Sequence, residues 1–283
     1  MDVVVEHWSA SWPVLIGYVA LAAWHLAGLR RTLALVAAGS RHEMVREAAL
    51  FQLGLAVIAL ALISPIGYLS DVYIWVRALQ ELLVAVIGPG LIVLGAPWAA
   101  LRIPPGRLAS LMSRPVLAVI AANVVWLGWQ LPALFDAAHG SAGNSGAGIA
   151  LAEHVSYVAA GLLFWLQLVS SRPLSQRTSP MRRAALLVGT VLASTVLGMV
   201  LVFGNGVVYP VYANSAHHLM TVLDDQQLSG AVLWMGMLGP MIVAGVALVL
   251  EWFGDEESAE LSAGLDRLLT PRGHGWPSRP VIR

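Results

Sequence analysis

Cysteine and lysine are both absent from this chain of 283 residues, and charged residues make up only 11% of it. Without cysteine there is no disulfide, no thiolate nucleophile, no cysteine-ligated zinc and no iron–sulfur cluster. Without lysine there is neither a Schiff-base lysine nor a phosphate-binding lysine of the P-loop type. Histidine, methionine and carboxylate side chains are left as metal ligands. Soluble domains are about one quarter charged, so the low charge indicates a protein that lies in lipid.

Apolar residues make up 58% of the chain, and its mean hydropathy is +0.75. A membrane-spanning helix needs roughly 20 mostly apolar residues. Seven stretches meet this requirement, at residues 12–29, 48–66, 73–97, 116–134, 149–170, 184–203 and 228–252. The predicted fold class is therefore all-α, a polytopic transmembrane helix bundle of about seven spans. Residues 1–253 are expected to form this transmembrane domain, and residues 254–283 a polar cytoplasmic C-terminal tail.

The arginines give the orientation. All sixteen cationic residues are arginine, and fifteen lie after spans one, three, five and seven, whereas the alternate connections contain none. Arginine accumulates on the cytoplasmic side of membrane proteins, so the N-terminus is expected outside and the C-terminus inside. The sixteenth, Arg77, lies within predicted span three, and the Gly88-Pro89-Gly90 segment is expected to kink that span near its middle.

Polar residues gather at the outer ends of spans three, four, five and seven. Because a charge inside a span costs several kcal/mol unless it is paired or hydrated, these residues are expected to form one buried polar cluster. Arg77 and Glu81 are four residues apart on one helix face, with His154 and Asp225 as the expected partners from other helices. The full predicted cluster is Arg77, Gln80, Glu81, Gln130, Glu153, His154, Asp225 and Gln227.

Purely structural interpretations of these polar residues are also open. The Arg77–Glu81 pair could serve only to lock the bundle, and Asp224 or Asp225 could simply cap span seven. His217 and His218 lie in a connection, where exposed histidine is common. The competing interpretation is a metal site, with His154, His217, His218 and Asp225 as the candidate ligands. No nucleophile–base arrangement, nucleotide loop or zinc motif is visible, so neither an enzyme nor nucleic-acid binding is predicted.

Six segments carry a more specific signal. They read LISPI at 62–66, LQELL at 79–83, WLGWQLPALFDAA at 126–138, LAEH at 151–154, YPVYA at 209–213 and DDQQLSG at 224–230. Together they resemble the CtaG-type family of cytochrome c oxidase assembly factors, over most of residues 45–253. The resemblance implies a seven-span protein of the bacterial plasma membrane, implicated in the maturation of haem–copper oxidases. It implies membrane lipid and oxidase subunits as partners, and copper as the candidate cofactor.

The chain departs from the family at three histidine positions. The family's third span typically reads His-x-x-Gln-His, but Arg77 and Glu81 stand at the two histidine positions here. The family's fourth span typically ends with His before Leu-Pro, and here that residue is Gln130. A guanidinium has no lone pair to offer a metal. We therefore expect an internal ion pair to supply the positive charge that a metal supplies in the family.

Four hypotheses for function follow. The favoured one is an assembly or accessory protein of a haem–copper cytochrome c oxidase that acts mainly by protein contact and carries a degenerate metal site. The second is a copper chaperone that delivers copper to the oxidase through an outer-face site. The third is an integral accessory subunit of a respiratory oxidase supercomplex. The fourth is a small-solute transporter, against which the lack of a visible inverted repeat counts.

Overall fold

The structure is a computed structural model that describes residues 12–35, 38–139, 144–174, 176, 178–214 and 220–269. The described residues form helices joined by short connections and contain no strand. The helices are α1 (Trp12–Leu35), α2 (Ala38–Ile63), α3 (Pro65–Leu69), α4 (Ile74–Leu82), α5 (Gly88–Leu94), α6 (Pro105–Leu111), α7 (Pro115–Trp129), α8 (Pro132–His139), α9 (Asn144–Leu168), α10 (Pro180–Phe203) and α11 (Val222–Leu269). A π-helical turn, Leu83–Ile87, joins α4 to α5, and a 3-10 turn, Pro210–Asn214, precedes α11.

The predicted membrane bundle is confirmed. Six helical stretches in the described part of the chain are long and apolar enough to cross a membrane, and the bent pair of α6 and α7 raises the number to seven if it forms one span. The stretch Ile74–Leu94 is the central one, since 78% of its most apolar window is buried within the protein. The corresponding fraction for α1 is 11%, so α1 lies at the periphery of the bundle.

Span four differs from its prediction. We expected one helix over 116–134, but α7 ends at Trp129 and a separate helix, α8, begins at Pro132. Proline lacks a backbone N–H and disfavours helical geometry in the residue before it, so the helix ends ahead of Pro132. At its other end, α7 meets α6 at an angle of 76°. Beyond the break at Pro132, α8 contacts α9.

Span three also differs in detail. The expected kink at Gly88-Pro89-Gly90 is a π-helical turn immediately before the proline, and α4, the turn and α5 form one continuous stretch. The N–H of Gly88 donates to the carbonyl of Leu83, five residues back. Pro89 has no N–H to donate, and its ring would press on the carbonyl of Ala85 in a regular α-helix. The wider turn relieves that conflict while the helix still spans the membrane.

Small residues let the helices approach closely. A Cβ atom on Gly161 of α9 would lie 2.1 Å from the carbonyl oxygen of Ala85, so α9 packs directly against the π-helical turn. A Cβ atom on Gly230 of α11 would lie 2.9 Å from the carbonyl oxygen of Gly198 on α10. Close backbone contact at small residues is the usual way in which membrane helices associate.

At the opposite end of the bundle, a buried arginine links three helices. Arg183 is 1% exposed, and it donates to the Leu168 carbonyl at 2.8 Å and to the Glu251 carboxylate at 2.5 Å. It thereby joins the end of α9 and the start of α10 to Glu251 within α11. Beyond it, α11 runs without a break through residue 254, where the polar tail was expected to begin. The division of the chain at that residue stays a prediction.

Candidate functional site

Arg77 lies at the centre of a buried polar network at the predicted outer end of the bundle. Its Nε donates to Glu81 Oε1 at 3.1 Å, and its Nη1 donates to Gln80 Oε1 at 3.3 Å. Gln80 in turn donates to the carbonyl of Ala61 on α2 at 2.8 Å. All three polar side chains lie on α4 and are buried. The predicted Arg77–Glu81 pair is therefore present, and it is anchored to a second helix.

A second carboxylate reaches Arg77 from α9. Glu153 is fully buried and forms an ion pair with the Arg77 Nη2 atom. The His139 Nε2 atom, at the end of α8, lies 3.3 Å from the same Glu153 oxygen. One guanidinium thus faces two buried carboxylates, and His139 adds a second cation only when it is protonated. The arrangement is a compact electrostatic unit that holds α4, α8 and α9 together.

Gln130 closes the network from α7. It is the residue after the last helical residue of α7, and its Nε2 donates to Glu81 Oε2 at 2.5 Å. The Tyr209 hydroxyl donates to Gln130 Oε1 at 3.1 Å. Tyr209 lies in the connection between α10 and α11, where burial raises the pKa of its phenol above the ordinary value. The phenol therefore remains a neutral donor to the amide.

Asp225 is buried, but it serves a different purpose from the one expected. Its two carboxylate oxygens accept from the backbone N–H groups of Ile74 and Trp75, at 2.9 and 3.0 Å. These are the first N–H groups of α4, so Asp225 caps that helix from α11 rather than capping span seven. Partners of Arg77 from other helices were expected to be Asp225 and His154; in the structure Glu153 of α9 is the carboxylate from another helix.

Within the described residues, neither Gln227 nor His154 forms a hydrogen bond with a member of the network. Gln227 is half-buried, whereas its neighbour Gln226 is fully buried and binds the backbone of the preceding connection, accepting from Val208 N–H and donating to the Gly206 carbonyl. His154 is half-buried and hydrogen bonds the backbone of Ala150, while its Nε2 atom has no hydrogen-bond partner in the described part of the chain.

Two network residues were missed by sequence reasoning. His139 carried no signal in isolation, since its contact with Glu153 depends on the break before Pro132, beyond which α8 contacts α9. Tyr209 was noticed as part of the family-like segment YPVYA but not as a cluster member. Its aromatic ring stacks on Phe135 with centroids 4.1 Å apart. A buried aromatic with a polar tip next to a polar cluster is the pattern that could have identified it.

These observations define a class: an all-α multi-pass membrane protein with an ionised network buried at one end of its bundle. The family model of the cytochrome c oxidase caa3 assembly factor (Caa3_CtaG) matches residues 20–255, so the chain belongs to that family, and the resemblance read from the sequence is confirmed. No curated protein and no solved structure matches the chain. Family membership places the protein in the assembly of cytochrome c oxidase.

The donor set at the network does not fit copper. Copper(I) prefers thiolate, thioether and imidazole ligands. The three positions at which the sequence resemblance implied histidine hold a guanidinium, a carboxylate bound to it and an amide that donates its N–H. Within the described ranges, no group of three or more His, Cys, Asp or Glu side chains is placed to hold a metal ion. The candidate ligands His217 and His218 lie outside the described residues.

Proposed function

We propose that this protein assists the maturation of a haem–copper cytochrome c oxidase by protein contact, without carrying copper in its own outer-face cluster. The observation that carries the proposal is the position of Arg77. Its guanidinium forms ion pairs with Glu81 and Glu153, so a permanent positive charge already stands between the two carboxylates of the cluster and offsets one of their two negative charges. A second cation placed there would meet that charge at close range, in a medium that screens poorly.

The network supports a structural contribution of the cluster to function. It joins α4, α7, α8, α9 and the connection before α11, all of them at the proposed outer end of the bundle. A rigid outer end is what recognition of a partner requires, since ordering a surface in advance lowers the entropic cost of binding. We infer that the ion pairs hold this surface in the form that a nascent oxidase subunit contacts.

The orientation that we propose puts this surface outside a bacterial plasma membrane. Arg183, Arg172 and their acidic partners lie at the other end of the helices, which the arginine rule assigns to the cytoplasm. The N-terminus would then be outside and the C-terminus inside. A cysteine introduced at an exposed residue of each end, such as Leu131 or Leu111, can be labelled with a membrane-impermeant maleimide in intact cells. Labelling of the Leu131→Cys variant alone supports the proposed orientation, and labelling of Leu111→Cys alone reverses it.

The experiment that tests the function is deletion of the gene followed by copper supplementation. If the protein acts by contact, its deletion should leave the oxidase immature at every copper concentration. Maturation is measured as the amount of assembled oxidase in the membrane and as the copper content of that oxidase. Restoration of both by added copper would instead favour a copper chaperone. Mild-detergent isolation provides the matched control: oxidase subunits at a fixed ratio in the mature complex would identify an integral accessory subunit. Loss of solute uptake by vesicles, with normal oxidase, would favour a transporter.

A further inference from the structure

A small, partly open cavity lies between the helices, beneath the Arg77 network. Its volume is about 40 Å³, and it is lined by residues of the π-helical turn, α7, α9, α10 and α11. Four of its lining side chains carry polar groups that the network does not use: Asn123, Trp126, Tyr157 and Thr190. No charged side chain is among the described residues that line it.

The register of three helices places this cavity directly below the charged network. Ala85 follows Glu81 by four residues, Trp126 precedes Gln130 by four, and Tyr157 follows Glu153 by four. Residues four apart share one face of a helix and lie one turn, about 5.4 Å, apart along the axis. The three faces that converge on the ion pairs therefore converge again on the cavity, one turn deeper in the membrane.

Polar atoms at the cavity have no partner in the described part of the chain. They are the Trp126 Nε1, the Tyr157 hydroxyl and the Asn123 Oδ1, each of them shielded from solvent. Trp126 is 5% exposed and Tyr157 is 0% exposed. The amide nitrogen of Asn123 is already engaged, since it donates to Thr190 Oγ1 and to the Val119 carbonyl, both at 2.9 Å. Buried polar groups in folded proteins are nearly always hydrogen-bonded, so we expect these three polar atoms to bind a ligand.

Water meets the requirement in both chemistry and size. The unpaired groups are an indole N–H that donates, an amide oxygen that accepts and a phenol hydroxyl that can donate or accept. Such groups suit a small neutral molecule that can itself both donate and accept hydrogen bonds. A cavity holds a water when it offers about 10–15 Å³ and two to four polar partners, and this cavity exceeds that volume about threefold. An ion would find no opposite charge in the lining, and an apolar ligand would leave all three groups unsatisfied.

We propose that this cavity is a hydration site, in which about two water molecules bind Trp126, Tyr157 and Asn123 in the middle of the transmembrane bundle. The waters extend the polar column that begins at the Arg77 network one turn deeper. The Oε1 atom of Glu153, one turn above Tyr157, also lacks a hydrogen-bond partner in the described residues. The inference does not depend on how the protein assists the oxidase.

Hydroxyl-radical footprinting by X-ray radiolysis tests the proposal on the full chain in detergent. Radicals formed from bound water label neighbouring side chains even where bulk solvent cannot reach. Met237 and Met241 line the cavity, are each 3% exposed, and carry reactive thioethers. Phe51 and Trp98, which are buried elsewhere at 1% and 6% exposure, bracket the methionines and serve as internal controls. After correction for intrinsic reactivity, we expect the two methionines to be labelled about tenfold faster than the controls. Labelling at the control rate overturns the proposal.

Variants separate bound water from general breathing of the protein. Ala160→Val adds two methyl groups to the cavity wall and should lower labelling of both methionines to the control rate. Ala244→Val adds the same volume to a separate apolar cavity between α5, α9 and α11, and should leave their labelling unchanged. If Ala160→Val does not fold, Tyr157→Phe removes one water partner and should reduce labelling at least threefold. Undiminished labelling in the folded variants contradicts a hydration site.

Discussion

Removal of the Arg77 guanidinium should destabilise the protein more than removal of the guanidinium together with one of its carboxylate partners. Arg77 and Glu81 side chains are each 3% exposed and Glu153 is fully buried. Arg77→Ala would leave two carboxylates next to each other in the bundle, with no permanent cation between them. Breaking a buried ion pair in this way costs about 3–5 kcal/mol, most of it the penalty of the uncompensated charge.

The double variants should recover part of that loss. In Arg77→Ala with Glu81→Ala, and in Arg77→Ala with Glu153→Ala, one of the two uncompensated charges is gone. We expect each double variant to be more stable than Arg77→Ala alone, with a coupling energy of about 1–3 kcal/mol. Glu153 should couple more strongly than Glu81, because it is the more deeply buried of the two carboxylates.

The assay is thermal unfolding in detergent followed by intrinsic fluorescence, for which the chain has eleven tryptophans. A loss of 3–5 kcal/mol corresponds to a fall in Tm of roughly 10 °C for a chain of this size. Arg172→Ala is the matched control, since this arginine is exposed and its ion pairs with Glu43 and Glu47 face solvent, where such pairs contribute little. Additive losses in the double variants, or an Arg77→Ala variant no less stable than the control, would refute the electrostatic reasoning.

Two further predictions concern packing and capping. Asp225→Ala should lower the free energy of unfolding by about 2 kcal/mol, because it leaves the buried N–H groups at the start of α4 without acceptors. Asp224 is exposed and hydrogen bonds to Thr221, so Asp224→Ala should lower the free energy of unfolding by less than half as much. Equal unfolding temperatures for the two variants would show that the cap contributes nothing. Gly161→Ala should destabilise the protein by forcing α9 off the π-helical turn, while Gly189→Ala, with open space around the new Cβ, should be neutral or stabilising by up to about 1 kcal/mol. A neutral Gly161→Ala in the same fluorescence assay would contradict that close packing.

Local signals made most of the bundle predictable. Long apolar stretches gave the spans, because a helix in lipid must be apolar over its whole length to cross the membrane. The charged cluster was predictable in outline for the same reason, since Arg77 within an apolar stretch must find partners. The exception among the spans was the fourth, where the apolar pattern continues past Pro132 but the helix does not. Here backbone chemistry overrides hydropathy.

The partners in the cluster were less predictable, because they depend on contacts far apart in sequence. Asp225 lies about 150 residues from the helix that it caps, and its sequence context suggested a cap for its own helix. Glu153 and His154 are neighbours on α9, and only the rotation of that helix decides which of them reaches Arg77. His139 depends in addition on the direction of α8. Helix rotation and loop direction are tertiary properties that a single sequence records only weakly.

Copper content of the purified protein tests the central claim most directly. The protein is isolated from copper-supplemented cells beside a variant in which Arg77, Glu81 and Gln130 are all changed to His, the residue that the sequence resemblance implied at these positions. The account predicts no stoichiometric copper in the natural chain, and copper bound by the triple variant, whose imidazoles suit that metal. One tightly bound copper per natural chain, lost on His154→Ala, would contradict it.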